Sequence, residues 1–249
     1  MKYREYFWKQ KAFVPKGIGY GQFSTVHLIL IGITVIFTVA VSYVYNTSSA
    51  EVRSIIRIAL AVALIITEIA KYSVIIIGHG DLKNYLPLEI CSVAGYCMII
   101  DSLMKGTSFI TEMLLILFLP AAIMALIYPT SVDLPAINFF TIHQFIYHAL
   151  IVAYVTARFS AGEIVMNYKG VWLSILTIFI IGMIVYLIDR IFHKNFMFLI
   201  HDERNAMLKK ITAFCGKGFG YTAGLVTFCI IVIHIFYFLF KLLETIFLR

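Results

Sequence analysis

Charged residues are scarce in this sequence. They make up 13% of its 249 residues, while hydrophobic residues make up 61%. Soluble domains usually carry about 25% charged residues. Repeated apolar stretches of about 20 residues are each long enough to cross a hydrocarbon core of about 30 Å. Too little polar sequence remains for a soluble domain, so we predict an all-α, polytopic protein of the cell membrane.

Motifs for several common enzyme classes are also missing. The sequence contains no P-loop, Rossmann fingerprint, HExxH or GxSxG. Its four cysteines, Cys91, Cys97, Cys215 and Cys229, form no CxxC pair and lack the spacing of metal ligands. Cys91 and Cys97 lie six residues apart on one predicted helix and do not share a face, so we expect no local disulfide. We therefore predict neither a metal site nor a cofactor.

Seven apolar stretches follow a short N-terminal segment. Residues 1–23 mix basic and aromatic side chains, a composition typical of a segment lying along lipid headgroups. They contain no apolar run, so we expect no cleavable signal peptide. We predict that residues 24–249 form a single domain with a seven-transmembrane-helix bundle. The predicted spans are about 24–45, 54–77, 86–104, 108–126, 137–157, 171–192 and 221–243.

The basic residues flank the predicted spans. This placement favours orientation and headgroup contact over nucleic-acid binding. More of them fall on the side of the N-terminus, so the positive-inside rule predicts that the N-terminus is cytoplasmic. That side carries Lys2, Arg4, Lys9, Lys11, Lys16, Lys83, Arg190, Lys194, Arg204, Lys209, Lys210 and Lys217. The other side carries Arg53, Arg57, Lys105, Arg158, Lys169, Lys241 and Arg249.

Polar residues inside the spans gather in the half nearer the N-terminal side. Such residues are costly in a bilayer and usually face a bundle interior or a water-filled cavity. We therefore predict a polar cavity that opens to the N-terminal side and is shaped for a group in that leaflet. His234, and Glu112 at the far edge, depart from this distribution. The one-sided set comprises Cys91, His27, Glu68, Glu89, His143, Gln144, His148 and Asp189.

Cys91 is the candidate nucleophile. It follows Leu86-Pro87-Leu88 at the predicted start of the third span, where Pro87 suits the first helical turn. A helix N-terminus lowers the pKa of a thiol, which favours a reactive role. The alternative is a buried cysteine that packs as a small hydrophobic residue.

His148 is the candidate base. With Thr141 and Gln144 it forms a polar stripe at spacing i, i+3 and i+7, which should face the bundle interior. A neutral imidazole can deprotonate a thiol or a lipid hydroxyl. The alternative is a histidine hydrogen-bonded between helices. The predicted boundaries put Cys91 about 8 Å and His148 about 16 Å deep, so their contact requires helix tilt or a different boundary.

Further polar residues have two interpretations each. Glu68 and Lys71 lie three apart on the second span and form an internal ion pair or part of a proton relay. Glu89 stays hydrated near the interface or orients a histidine. His27 binds a lipid phosphate or hydrogen-bonds within the bundle. The basic and aromatic loop 190–220 binds headgroups or sets orientation.

Five short motifs occur in an order typical of one protein family, and with them the chain resembles the YwaF-type bacterial integral membrane proteins. Their order and spacing along most of the chain carry the resemblance. The matching residues are an early histidine (His27), Leu-Pro-Leu-x-x-Cys (86–91), an Ala…Pro turn (Ala125, Pro129), aromatics leading to a histidine (Phe139, Phe140, His148) and Asn-aromatic-Met-aromatic-Leu, which begins at Asn195.

The resemblance implies a lipid enzyme. A eukaryotic relative is described as a phospholipid acyltransferase that uses a cysteine and a histidine, and the resemblance assigns these roles to Cys91 and His148. The supporting residues of the pocket are then His27, Glu68, Glu89, His143, Gln144 and Asn195. The chain departs from the family pattern at Glu89, where the family often has a histidine.

Two hypotheses of different class follow. In the first, Cys91 attacks an acyl ester of a phospholipid in the cytoplasmic leaflet and His148 acts as general base. In the second, the protein is a non-catalytic transporter or lipid-binding protein with an intramembrane polar pocket. Sparse polar residues in the far leaflet and the lack of paired, Gly/Pro-broken helices argue against a transport path. The sequence leaves the acyl donor, the acceptor and the oligomeric state open.

Overall fold

The computed structural model describes residues 3–104, 108–202, 205 and 207–247. The fold is 75% helical, and the described ranges contain no strand. In the part of the chain that the structure describes, six helices are long and apolar enough to cross a membrane. The chain is therefore an all-α, multi-pass membrane protein. Four basic residues used for the orientation prediction, Lys2, Lys105, Arg204 and Arg249, lie outside the described residues.

The α-helices that cross or enter the bundle alternate with short connections. Within the described ranges they are α1 (Thr25–Thr47), α2 (Ala50–Ile77), α3 (Ile90–Leu103), α4 (Phe109–Ile127), α5 (Phe139–Ser160), α6 (Tyr168–Phe192), α7 (Leu208–Cys215) and α8 (Phe219–Phe247). Helix α4 contains a π-helical turn at Leu114–Phe118. Pro120 explains this turn, because it has no N–H to donate to the carbonyl of Ile116, four residues earlier.

The third predicted span differs most from the structure. Helix α3 has 14 residues and begins at Ile90, so it is about 21 Å long and falls short of the six longer helices. We predicted that Pro87 lies in the first turn of the helix, but it lies in a bend before the helix. The reason is local: Glu89 is the N-cap, and the N–H of Leu88 bonds back to the carbonyl of Leu86. Residues 78–89 therefore form an irregular segment that leads into a short helix.

Two helices form the centre of the bundle. In both α4 and α5, 61% of the most apolar 18-residue stretch is buried, against 11–22% of the corresponding stretch in α1, α2, α6 and α8. Helix α5 packs against α1, α2, α3 and α4. The outer helices keep many large apolar side chains exposed, which suits a hydrocarbon environment in which apolar surface has no reason to be hidden.

The helices of the bundle alternate in direction. Helix α3 runs parallel to α5, because its start contacts the first half of α5 and its end contacts the last turns. Helix α2 runs antiparallel to α5, since Glu68 near its end lies beside His143 near the start of α5. We call the end with the starts of α1, α3 and α5 the N-terminal face. Contacts that fix the other directions are Asn46–Ser160, Gln144–Ala125, Asn167–Glu112 and Lys241–Met166.

The N-terminal segment lies over the N-terminal face. The Asn138 side chain donates to the carbonyls of Tyr6 (2.6 Å) and Lys9 (2.9 Å), which joins the segment to the start of α5. The Trp8 ring lies 5.5 Å from that of Phe139 but remains mostly exposed. These bonds hold aromatic and basic side chains at one end of the bundle, where the predicted interfacial segment would contact headgroups.

Candidate functional site

Cys91 is the second residue of α3 and is partly buried. His148 is the tenth residue of α5, about 14 Å along that helix. The two residues are nevertheless level with each other, because α3 begins about eight residues, or about 12 Å, deeper in the bundle than α5. The irregular segment 78–89, and not a helical turn as predicted, leads the chain to that depth.

The thiol and the imidazole are in contact. Nε2 of His148 lies 3.1 Å from Sγ of Cys91. Nδ1 of His148 lies 2.6 Å from the carbonyl oxygen of Gln144, one turn earlier. A carbonyl only accepts, so Nδ1 carries the proton and Nε2 is left to accept from the Cys91 S–H. The backbone of α5 thus selects the tautomer that can remove a proton from the thiol.

Tyr147 holds the backbone at Cys91 and was missed by the sequence analysis. Its hydroxyl donates to the carbonyl of Cys91 at 3.2 Å. Gly95, one turn further along α3, lies so close to this hydroxyl that a Cβ would clash with it, and Leu64 Cδ2 would lie 3.1 Å from that Cβ. The absent side chain therefore allows α3 to approach α5 closely. A tyrosine directly before the candidate histidine was the available signal.

A charged cluster lies beside Tyr147. Lys71 Nζ and Glu68 Oε2 are 2.6 Å apart, so these residues form the internal ion pair. His143 Nε2 lies 3.5 Å from Glu68 Oε1, and the His143 ring stacks on Tyr147 at 5.6 Å. Through Tyr147 the cluster is linked to the backbone carbonyl of Cys91 and not to its thiol. It therefore lies beside the candidate site without being a direct partner of the thiol.

His27 and Gln144 tie helices together. His27 is completely buried; its Nδ1 accepts from the N–H of Phe23, and its Nε2 lies 2.9 Å from the carbonyl of Leu126. Both ring nitrogens are used within the protein, so His27 fills the bundle role and not the phosphate-binding role. The Gln144 side chain donates to the carbonyl of Ala125 at 3.3 Å, which joins α5 to the end of α4.

Glu89 and Asn195 have backbone roles. Glu89 is the N-cap of α3, and its carbonyl accepts from the N–H of Ser92. Its side chain makes no capping hydrogen bond. Asn195 accepts from the N–H of Ile200 at 2.8 Å and donates to the carbonyl of His201 at 2.8 Å, so it shapes its own loop. The structure places Asn195 in that loop and Glu89 on the segment leading to Cys91.

A second polar cluster lies near the opposite face and was not predicted. Asp101 on α3 and Arg158 on α5 form an ion pair, and both are almost completely buried. Asp101 also accepts from Tyr154 (2.5 Å) and Thr111. Arg158 donates further to Glu163 at 3.2 Å. The sequence analysis assigned Arg158 to a loop; the signal was a lone acid and a lone base within two apolar stretches, which are costly unless paired.

Two cavities open on the N-terminal face, and neither is lined by Cys91 or His148. The first, of about 210 Å³, is lined by Gln22, Phe23, Tyr128, Met207 and Lys210. The second, of about 320 Å³, lies between the N-terminal segment and residues 135–137. Among the described residues, no three His, Cys, Asp or Glu side chains are grouped to hold a metal ion. Cys91 itself is partly exposed on the surface of the bundle.

Comparison with known proteins identifies the family. No curated protein and no solved structure matches the chain. A sequence model of the TMEM164 family matches residues 22–240, which include every helix from α1 to α7 and most of α8. The chain therefore belongs to the TMEM164 family.

Proposed function

We propose that this member of the TMEM164 family is a phospholipid acyltransferase in which Cys91 is the nucleophile and His148 is the general base. The 3.1 Å contact between Nε2 of His148 and Sγ of Cys91 carries this proposal. A nucleophile within hydrogen-bonding reach of a base, with the base oriented by a third group, is the arrangement used in covalent catalysis. Here the third group is the carbonyl of Gln144.

The proposed reaction has two transfers. Nε2 takes the proton of the Cys91 thiol, and the sulfur attacks the ester carbonyl of a phospholipid. The lipid alkoxide leaves, takes the proton from His148 and departs as a hydroxyl, while the acyl group remains on Cys91 as a thioester. His148 then removes a proton from the hydroxyl of a second lipid, which attacks the thioester. The thiolate leaves and regains the proton.

The membrane setting supports a lipid substrate. Cys91 lies at the start of a helix embedded among apolar helices, and it is partly exposed on the bundle surface. Cys91 is level with His148, about 14 Å along α5, so the ester of a lipid substrate has to enter the bundle below the headgroups to reach the thiol. The partner of this site is accordingly a membrane phospholipid.

The proposal includes a topology. Seven helices, α1 to α6 and α8, alternate in direction, so α3 would be the seventh membrane-embedded helix despite its length. The irregular segment 78–89 supplies the remaining thickness; irregular backbone is tolerated at this depth where protein surrounds it. The excess of basic residues predicted on the side of the N-terminal face supports a cytoplasmic position for that face. Cys91 then serves the cytoplasmic leaflet of the cell membrane.

A non-catalytic lipid-binding role is the second candidate. The two cavities on the N-terminal face do not reach Cys91, and Glu68 is already neutralised by Lys71. In that case Cys91 and His148 would be a hydrogen-bonded pair that packs α3 on α5.

Mass spectrometry of the intact protein separates the two candidates. Purified protein is incubated in mixed phospholipid micelles, and the mass added to Cys91 is followed with time. We expect an acyl-sized increase that is absent in Cys91→Ser and at least 100-fold slower in His148→Ala, the loss that removal of a general base produces. Cys229→Ser, on α8, is the matched control and should retain the adduct. No adduct with any lipid class would rule out acyl transfer and leave the lipid-binding role.

A further inference from the structure

Helices α3 and α5 meet at two polar pairs with the same spacing. Cys91 contacts His148 near the N-terminal face, and Asp101 contacts Arg158 near the opposite face. In each pair the partners are 57 residues apart in the sequence. The pairs are therefore separated by ten residues, or about 15 Å, on both parallel helices. A slide of α3 along α5 would break both contacts together.

The Asp101–Arg158 pair, near the opposite face, is the stronger constraint on the position of α3 along α5. Asp101 is completely buried and accepts from Arg158, Tyr154 and Thr111. Arg158 is fixed in turn by Glu163. Breaking such a pair exposes an uncompensated buried charge, so few alternative registers of the two helices are open to it. Buried polar groups are best attested in this role, where they specify the register of packed helices.

The start of α3, which lies toward the N-terminal face, is held weakly by its own contacts. The helix has no side-chain cap, and it follows the irregular segment 78–89. Besides apolar packing, its start is tied to α5 by the hydroxyl of Tyr147 and by the thiol–imidazole contact. The position of Cys91 relative to His148 is thus determined largely at the other end of the helix pair.

We propose that Asp101 and Arg158 are positioning residues that fix the register of α3 on α5 and thereby hold Cys91 at His148. This inference rests on the proposed function for its catalytic meaning. The register itself is a geometric property that can be measured without turnover.

The decisive variants change length and keep charge. Asp101→Glu retains the ion pair but lengthens it by one methylene, and Arg158→Lys removes about one heavy atom of reach. The double variant restores the summed length. Asp133→Glu lengthens the exposed ion pair with Lys11, away from the contact between α3 and α5, and is the matched control. Each protein is prepared as the full chain in lipid nanodiscs.

Two readouts are used together. The first is the rate at which a lipid-soluble maleimide modifies Cys91, divided by the rate at Cys229 on α8. The second is the ¹⁵N resonance of His148 Nε2, which reports the S–H···N hydrogen bond; Cys91→Ala gives its position without that bond. A displacement of about 1 Å in a reacting pair costs up to about 100-fold in rate.

We expect Asp101→Glu to lower the Cys91/Cys229 rate ratio at least tenfold and to move the resonance toward that of Cys91→Ala. The double variant should return the rate ratio to within threefold of the wild-type ratio and the resonance to its wild-type position, and Asp133→Glu should change neither readout. A ratio within twofold of wild type in Asp101→Glu overturns the inference. So does a double variant that behaves like the single variant, or an equal acceleration at Cys229, which would mean general loosening.

The two proposals can fail separately. If no lipid adduct forms on Cys91 but Asp101→Glu still moves the His148 resonance, acyl transfer is wrong and the positioning role stands. If the adduct forms and requires His148 while Asp101→Glu changes neither readout, acyl transfer stands and the positioning role is wrong.

Discussion

The two contacts between α3 and α5 differ in how completely their polar groups are used. At the opposite face, Asp101 accepts hydrogen bonds from three side chains, and Arg158 is shared between two carboxylates. At the N-terminal face, the Cys91 thiol has a single polar side-chain partner in the described part of the chain, and it is partly exposed. The Asp101–Arg158 contact is buried and its polar groups are fully hydrogen-bonded. The Cys91 thiol can still accept a further partner.

This difference separates stability from chemistry along one pair of helices. A saturated, buried ion pair has little left to offer a substrate, and its partial loss is costly. A thiol with one weak partner contributes little to stability, but it can react. Mutations near the opposite face should therefore affect folding most, and mutations near the N-terminal face should affect reactivity most.

Removal of one charge from the Asp101–Arg158 contact should have the largest effect on stability. In Arg158→Ala, Asp101 keeps Tyr154 and Thr111 but loses its compensating charge. We expect the free energy of unfolding to fall by about 3–5 kcal/mol. Denaturant titration in mixed micelles measures this change. Asp101→Leu combined with Arg158→Leu is the comparison, since removing both charges should cost less than removing one; a double variant that is worse than the single would contradict this interpretation.

A side chain added at Gly95 should have the next largest effect. Its Cβ would overlap the Tyr147 hydroxyl and press on Leu64. We expect Gly95→Ala to destabilise the protein by about 1–3 kcal/mol, as overpacking does, and to slow modification of Cys91. Thermal unfolding and maleimide modification test both effects. Gly182→Ala on α6 is the control, because a Cβ there meets no atom within 4 Å; equal losses in the two variants would exclude the close approach of α3 and α5 as the cause.

Removal of the Tyr147 hydroxyl tests the hydrogen bond at Cys91 alone. In Tyr147→Phe the ring and its packing remain, and the carbonyl of Cys91 loses one donor. We expect the free energy of unfolding to fall by about 0.5–1.5 kcal/mol. We also expect the Cys91/Cys229 modification rate ratio to fall below that of the wild type. The half-exposed Tyr96 supplies the control, Tyr96→Phe. An unchanged Cys91 rate in Tyr147→Phe would show that this hydrogen bond does not position the thiol.

The sequence was sufficient for features that depend on local composition. Apolar runs predicted the helical bundle, and the spacing of Gln144 and His148 placed both on the inner face of α5. The start of α3 could not be predicted from Pro87, because the chain bends at that residue and the helix begins after Glu89. Cys91 is level with His148 because the irregular segment 78–89 leads the chain below the start of α5 before α3 begins.

Long-range pairs were beyond the sequence pattern. Asp101 and Arg158 each look like an isolated charge in an apolar stretch, and only the packing of α3 on α5 shows that they neutralise each other. The same holds for Tyr147, whose hydroxyl finds its acceptor 56 residues away. By contrast, the pairing of Glu68 with Lys71 was predictable, since both lie on one helix at a spacing of three.

An exposed ion pair should show the smallest effect and so sharpens the comparison. Lys11 and Asp133 join the N-terminal segment to the loop before α5, with Nζ and Oδ2 2.8 Å apart and both side chains more than half exposed. The charges resemble those of Arg158 and Asp101, but water already solvates them. We therefore expect Lys11→Ala to cost less than about 0.5 kcal/mol and the cost to vanish at high salt.

The measurement is denaturant unfolding at low and high salt, with Lys16→Ala as the control for loss of a basic residue in the same segment. A loss of 2 kcal/mol or more, retained at high salt, would contradict the solvent argument. It would mean that the N-terminal segment closes over the face cooperatively. Burial, and not charge type, would then no longer explain the difference between the two kinds of pair, because an exposed pair would act like the buried pair of α3 and α5.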